Sequence, residues 1–221
     1  MAGRRALLLL VLLCACDRPS RPVATDTGDA IARLKDLGAT QVDVDAKGQV
    51  VRVNLSGTAA SDGDLRHLEG LAGLSGLALA GTEVGDVARL RGLARLAYLN
   101  LDRTRLTDKG LAPVADLAGL TSLYVGSDRL SDAGLACLAN LTGLRSLFLR
   151  GSRITDRGLR HLRRLGQLEV LILFTPRVTD AGLDHVAALG GLTFLQLAEA
   201  KVSGSGVERI KLALPDCEVR R

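Results

Sequence analysis

The sequence predicts an α/β solenoid in which one short strand and one short helical segment alternate along the chain. One observation is a unit of 24 residues that recurs without insertion or deletion, beginning at Leu96, Leu120, Leu144, Leu168 and Leu192. A second is a change of period within each unit: LxxLxL suits a strand, whereas the later leucines, three residues apart, suit helical turns. Because so short a strand and helix cannot bury their apolar faces alone, the units must stack.

Two earlier units extend the repeat towards the N-terminus, one of 22 residues at Leu74 and a first one at Val50. Residues 50–212 are therefore predicted to hold seven repeats, of which only the last is incomplete. The open ends of a solenoid need covers. We assign residues 28–49 to an N-terminal cap of a helix and a strand, and residues 213–221 to a C-terminal cap.

Both predicted caps can be described in more detail. Residues 29–37 have the pattern of an amphipathic helix, and residues 41–45 are predicted to form a hairpin with residues 50–55. At the other end the helical pattern continues until Pro215 stops it, which leaves residues 217–219 for a final edge strand.

A Thr or Ser followed by Asp precedes the helical half of most repeats. Side-chain oxygens at such positions accept hydrogen bonds from the free amides of a helix start, and carboxylates are favourable there. Both residues are therefore predicted to serve the helix that follows them. The pairs are Thr107-Asp108, Ser131-Asp132, Thr155-Asp156 and Thr179-Asp180.

The N-terminus has the pattern of an export signal. Arg4 and Arg5 precede a short apolar run that ends in Cys-Ala-Cys, and the run is too short to cross a bilayer as a helix. The residues before Cys16 resemble a bacterial lipobox, so residues 1–15 are predicted to be a lipoprotein signal peptide and Cys16 the lipidated residue. Residues 16–27 would be a tether. An ordinary secretory signal is the alternative, and both place the protein outside the cytoplasm, in the periplasm or on the cell surface.

The repeats resemble the leucine-rich-repeat family, and specifically the bacterial variety that carries TDxGL in each unit. They are also similar to the repeats that accompany F-box proteins in eukaryotes, although no F-box precedes them here. The resemblance implies a ribonuclease-inhibitor-like solenoid with parallel strands on a concave face and short helices on a convex face. It leaves the function open, because such repeats serve many unrelated binding tasks.

The third, fifth and seventh residues of each repeat are predicted to point onto the concave face, between the buried leucines. All five aromatic residues of the protein fall at these positions, and two aliphatic residues join them. Clustered exposed aromatics are typical of a binding surface, whereas cross-strand packing is the alternative that needs no ligand. The predicted surface consists of Tyr98, Tyr124, Phe148, Val170, Ile172, Phe174 and Phe194.

A column of basic residues occupies the tenth position of successive repeats, following Glu83. Like charges at strand spacing repel, and either an anionic partner or the aspartates three residues later could relieve the repulsion. The column is Arg105, Arg129, Arg153, Arg177 and Lys201; the aspartates are Asp108, Asp132, Asp156 and Asp180.

The sequence favours a non-enzymatic, lipid-anchored binding module. No acid, base and nucleophile converge, and the histidines, His67, His161 and His185, share one outward helical position without metal-ligand companions. Loss of Arg4 and Arg5 lowers the net charge from +5 to +3, which does not indicate nucleic acid. No cofactor or metal is expected. The predicted partner is a protein, with an anionic polymer as the second choice, and the lipid is the predicted membrane contact. The alternative functions are a structural spacer of the envelope and an envelope hydrolase.

Overall fold

Stacked strands form the body of the molecule. The structure, a computed structural model, describes residues 27–151 and 153–221; the predicted signal peptide and Cys16 lie outside the described residues. In the described residues the strands are β1 (Gln41–Val44), β2 (Val50–Asn54), β3 (Gly76–Ala78), β4 (Tyr98–Leu101), β5 (Ser122–Gly126), β6 (Ser146–Arg150), β7 (Val170–Phe174), β8 (Phe194–Ala198) and β9 (Glu218–Arg220). β1 pairs antiparallel with β2, and every later strand in this part of the chain pairs parallel with the next.

The leucines of the repeat set the register of the sheet and fill its core. Leu99, Leu123, Leu147, Leu171 and Leu195 are successive Cα partners in β4 to β8, and each is 0% exposed. A shift of one residue would turn this column of leucines towards solvent, so the pattern specifies the register strongly. The predicted α/β solenoid with a parallel sheet is confirmed.

Short helical segments return the chain on the other side of each repeat. The α-helices of the described residues are α1 (Thr27–Asp36), α2 (Asp108–Leu111), α3 (Asp156–Leu159), α4 (Asp180–Val186) and α5 (Gly204–Ala213). Tighter 3₁₀ turns cover residues Asp64–Leu68, Ala88–Leu90, Ala112–Asp116, Gly134–Asn140 and Arg160–Arg164. In the part of the chain that is described, none of these helices has the length and apolar character needed to traverse a bilayer.

Three of the four predicted hydroxyl caps, those of Thr107, Thr155 and Thr179, are confirmed, whereas the 3₁₀ turn that follows Ser131 has no side-chain cap. The Thr155 side chain accepts a hydrogen bond from the Arg157 amide at 3.3 Å, and Thr179 accepts one from the Ala181 amide. Thr107 and Ser203 cap α2 and α5 in the same way, accepting from glycine amides. Each cap gives a partner to an amide that the first helical turn cannot satisfy.

The aspartates beside these caps form hydrogen bonds between repeats, which the sequence did not predict. Asp132 reaches the next repeat, where its two carboxylate oxygens accept hydrogen bonds from the Thr155 amide at 2.7 Å and the Thr155 hydroxyl at 2.6 Å. The prediction that these carboxylates serve their own helix is therefore corrected: they join consecutive repeats. We call the set the aspartate ladder; its pairs are Asp108–Ser131, Asp132–Thr155, Asp156–Thr179 and Asp180–Ser203.

The last step of the ladder also shows its electrostatic effect. Hydrogen bonds from the Ser203 hydroxyl and amide hold the pKa of Asp180 below its ordinary value. A carboxyl whose pKa is lower in the folded chain stabilises the fold above its ordinary pKa of 3.8. That contribution is lost as the pH falls through the lowered value.

The N-terminal end departs most from the regular repeat. The 22-residue unit lacks the Thr-Asp pair and has only the 3₁₀ turn Ala88–Leu90. Here Asp62 of the preceding repeat accepts hydrogen bonds from the Gly85 amide at 2.6 Å and the Asp86 amide at 3.0 Å. α1 then covers the open end, burying Ala30 and Leu34.

Candidate binding surface on the concave face

The concave face is made by the side chains that alternate with the buried leucines of each strand. In β7, Val170, Ile172 and Phe174 are half-buried, whereas the two leucines between them are completely buried. β6 and β8 show the same alternation. Because successive side chains of a strand point to opposite faces, the third, fifth and seventh residues of every repeat share the face that lies away from the helices.

Four aromatic side chains form a continuous line on this face, which we call the aromatic row: Tyr98, Tyr124, Phe148 and Phe174. Ring centroids lie 5.6 Å apart between the two tyrosines, 5.7 Å between Tyr124 and Phe148, and 5.3 Å between Phe148 and Phe174. Aromatic rings contact one another at such distances. The predicted neighbours Tyr124, Phe148 and Ile172 are Cα partners in adjacent strands.

The row crosses the sheet diagonally. Tyr98 is the third residue of its repeat, Tyr124 and Phe148 are fifth residues, and Phe174 is a seventh residue. The row therefore spans three strand spacings of about 4.8 Å while advancing four residues, about 3.3 Å each, along the strands. The fifth aromatic residue, Phe194, stands apart, where the guanidinium of Arg220 lies 5.2 Å from its ring centroid.

The row is only partly shielded from solvent. Tyr98 is 37% exposed, and the other three rings are half-buried. The rings pack against one another across strands, as the alternative interpretation expected, and this packing contributes about 0.2–1 kcal/mol per pair. It still leaves part of each ring on the open face.

An ion pair that sequence reasoning missed lies against the row. Nε of Arg150 is 3.5 Å from Oδ1 of Asp102. Arg150 ends β6 and Asp102 directly follows β4, so β5 lies between them. The residue between them is Gly126, and a side chain there would collide with the Asp102 carboxylate. The Arg150 guanidinium also lies 5.6 Å from the Phe148 ring centroid and 5.4 Å from that of Phe174.

This ion pair is partly buried against two rings of the aromatic row. Asp102 Oδ1 and Arg150 Nε are both shielded from solvent and form no hydrogen bond in the described structure. A guanidinium over the faces of two aromatic rings gains a cation–π attraction. The sequence did contain an indication of the pair, because residues 102, 126 and 150 are the seventh residues of three consecutive repeats.

A shallow pocket of about 460 Å³ adjoins the tyrosine end of the row. It exists because β3 carries Gly76 and Ala78, small residues between Arg52 and Asn54 on one side and Tyr98 on the other. Its lining contains no carboxylate, imidazole or thiol group. The pocket can accommodate a side chain of a ligand, and Arg52 and Tyr98 are the residues with ionisable side chains in its lining.

The basic column lies at the C-terminal margin of this face. Its side chains are all exposed, and Arg105 pairs with Glu83 at 2.5 Å. Within the described residues the other four, Arg129, Arg153, Arg177 and Lys201, form no ion pair. In the described residues no ion pair joins the column to the aspartates three residues later, whose carboxylates instead accept hydrogen bonds from the next repeat.

The titratable groups of the helical side do not form a site. His67, His161 and His185 are half-buried in different repeats, and burial together with Arg160 lowers the pKa of His161. Burial raises the pKa of the free Cys137 thiol to about 11 and also raises that of Cys217. Among the described residues, no cluster of three His, Cys, Asp or Glu side chains is arranged to hold a metal ion.

Comparison with solved structures shows that this fold is shared with other leucine-rich-repeat proteins. No family model and no curated protein matches the sequence. Internalin C2 from Listeria monocytogenes aligns with a TM-score of 0.66 at 22% identity, over 86% of this chain and 80% of that chain. The leucine-rich-repeat ectodomain of the membrane receptor kinase GASSHO1/SCHENGEN3 from Arabidopsis thaliana, in complex with CASPARIAN STRIP INTEGRITY FACTOR 2, aligns with a TM-score of 0.57 at 19% identity, over 82% of this chain and 22% of that chain.

Proposed function

We propose that this leucine-rich-repeat solenoid is a non-enzymatic module that binds a protein partner through the aromatic row on its concave face. The observation that carries the proposal is the placement of the aromatic residues. All five in the chain belong to the concave face, four of them touch in sequence, and the buried columns consist of aliphatic residues.

Aromatic side chains suit this task because they combine a large contact area with few rotatable bonds. Tyr is enriched at the energetically dominant positions of protein interfaces, and Arg is enriched with it. The row supplies two tyrosines, and the Arg150 guanidinium lies against the rings of both phenylalanines.

A protein partner is also supported by the comparison with the receptor ectodomain, whose structure was determined in complex with CASPARIAN STRIP INTEGRITY FACTOR 2. The likeness concerns the fold, and the use of the concave face is our inference from the aromatic row. An anionic envelope polymer remains the second kind of ligand, to which the basic column is relevant below.

The two rival functions have less support. A spacer joined end to end would need adhesive ends, yet the final strand β9 carries Glu218 and Arg220, charges that disfavour pairing at a sheet edge. Val44 is 48% and Leu212 83% exposed in the caps, as single apolar side chains rather than a patch. A hydrolase would need an acid or base in its pocket, and the pocket beside Tyr98 is lined by neither carboxylate nor imidazole.

Replacing Tyr124, Phe148 and Phe174 by serine in the full-length chain is expected to reduce partner capture at least about ten-fold, because interface aromatics contribute on the order of 1–2 kcal/mol each. Capture is measured by crosslinking in intact envelopes, affinity purification and quantitative mass spectrometry. Circular dichroism and the urea midpoint of each purified chain establish that both fold alike.

A matched control removes exposed apolar side chains elsewhere, by Val44→Ser together with Leu212→Ser. This variant is expected to capture the partner as the parent does. Equal capture by the parent and the aromatic variant would refute the concave-face proposal. Loss of self-association in the cap variant alone would instead support the spacer.

We also propose that lipidation at Cys16 anchors the protein outside the cytoplasm, on the support of the lipobox-like residues that precede it. Cys16→Ala is expected to move the mature chain from the membrane to the soluble fraction, since the acyl chains would provide the anchor. Cys14→Ala is the matched control and is expected to change nothing. A mature N-terminus without a lipid mass, or equal partition of parent and Cys16→Ala, would rule out the anchor.

A further inference from the structure

We propose that the basic column is a second contact surface, which binds an acidic segment of the partner protein that lies on the aromatic row. The inference rests on the proposed function and identifies the chemistry of the partner. It concerns Arg129, Arg153, Arg177 and Lys201, with Arg105 at the end of the column.

Within the described residues Arg129, Arg153, Arg177 and Lys201 form no ion pair. The carboxylates placed to neutralise it are those of the aspartate ladder, and each accepts two hydrogen bonds from the following repeat. Asp128 and Glu199 flank the column in the same turns, but among the described residues neither forms an ion pair with it. The four cations therefore have no direct ion-pair partner among the described residues and remain available to an anionic ligand.

Backbone pairing between neighbouring repeats continues beyond the ends of the strands, in the turns that carry the basic column. Isolated parallel bridges join Ser131 to Arg153, Thr155 to Arg177 and Thr179 to Lys201. In each bridge the basic residue pairs with the Ser or Thr two positions after the preceding basic residue, so the bridges hold the turns of neighbouring repeats together at about the strand spacing of 4.8 Å. Positive charges on the turns of neighbouring repeats repel one another even in water. A negatively charged segment along the column would offset this repulsion and be attracted to the basic residues.

The column adjoins the phenylalanine end of the aromatic row. Phe174, the last residue of β7, precedes Arg177 by three residues, and Arg150, the last residue of β6, precedes Arg153 by three. Crossing from the repeat of Arg105 to that of Lys201 requires four strand spacings, or about 19 Å, which about six residues of extended chain would span. An extended partner segment can therefore place apolar residues on the row and several carboxylates on the column.

The direct test measures binding of fluorescein-labelled poly-L-glutamate to the purified full-length protein in non-ionic detergent by fluorescence anisotropy. The column variant carries Arg129→Gln, Arg153→Gln and Arg177→Gln. It is expected to bind at least about ten-fold more weakly than the parent at low salt, and to show a weaker dependence on salt, since fewer ion pairs form.

The matched control removes the same number of charges from exposed positions on the helical side, by Arg157→Gln, Arg163→Gln and Arg164→Gln. This variant is expected to bind within about three-fold of the parent. Equal weakening of both variants would overturn the proposal, because binding would then reflect net charge alone. Unchanged binding by the column variant would overturn it too, as would binding of polygalacturonate in place of polyglutamate, which would indicate a polysaccharide ligand.

Failure here can be distinguished from failure of the proposed function. The polyglutamate assay depends on the column, whereas partner capture in envelopes depends on the aromatic row. A column variant that still captures the partner in full would overturn the acidic-segment inference and leave the role of the row intact.

Discussion

Asp132→Ala is expected to lower the free energy of unfolding by about 2–3 kcal/mol, because hydrogen bonds to a charged group contribute about 1.5–3 kcal/mol and their loss leaves donors unpaired. Asp132 accepts hydrogen bonds from both the amide and the hydroxyl of Thr155, and that hydroxyl in turn caps α3. The substitution therefore weakens the interface between the fourth and fifth repeats. In a solenoid, stability depends on such nearest-neighbour interfaces.

The measurement is the midpoint and slope of urea unfolding, followed by circular dichroism. Asp128→Ala is the matched control, because Asp128 is an exposed aspartate of the same repeat for which no hydrogen bond or ion pair is found in the described structure. It is expected to change stability by less than about 0.5 kcal/mol. Equal effects of the two substitutions would show that the aspartate ladder contributes nothing to stability.

Gly158→Ala is expected to cost about 1–3 kcal/mol, the usual penalty for forcing an extra carbon into a packed site. An added Cβ would stand 2.5 Å from Oδ1 of Asp132 and 3.2 Å from its Cα. The carboxylate would have to leave the position from which it binds Thr155. Gly134 and Gly182 face the preceding aspartate of the ladder at the same distance, so the same penalty is expected there.

Gly166→Ala is the control for this prediction, because no heavy atom lies within 4 Å of a Cβ at that position. It is expected to be neutral or to stabilise by up to about 1 kcal/mol, since alanine restricts the unfolded chain. The double variant Asp132→Ala/Gly158→Ala should cost less than the sum of its parts, because removing the carboxylate removes the collision. Strict additivity would contradict the assigned contact.

The TDxGL motif shows where a single sequence is informative and where it is not. The threonine was predicted to be a helix cap, and it is one. The aspartate was interpreted locally, as part of the same helix start, and the glycine was assigned no role, yet both serve the contact between repeats. Their partners lie 23 and 26 residues away, and no local pattern records a hydrogen bond of that separation.

The concave face shows the same division. The positions of Tyr124, Phe148 and Ile172 followed from the repeat, because strand periodicity and a constant unit length determine which residues become neighbours. The ring-to-ring continuation to Phe174 and the Asp102–Arg150 pair did not follow. Both depend on side-chain directions, and the ion pair also depends on the space that Gly126 leaves between two strands.

The sequence by itself determined the solenoid, its strand register, its leucine core and the face that carries the aromatics, since burial of regularly spaced apolar side chains admits one stacking arrangement. Only the tertiary structure decided the partners of the polar groups. The sequence allowed the aspartates to pair with the arginines three residues before them, with their own helix or with the next repeat. Hydrogen bonds are short and directional, so the stacked geometry selected the Thr or Ser of the next repeat, and in the described part of the chain it left Arg129, Arg153, Arg177 and Lys201 without an ion-pair partner.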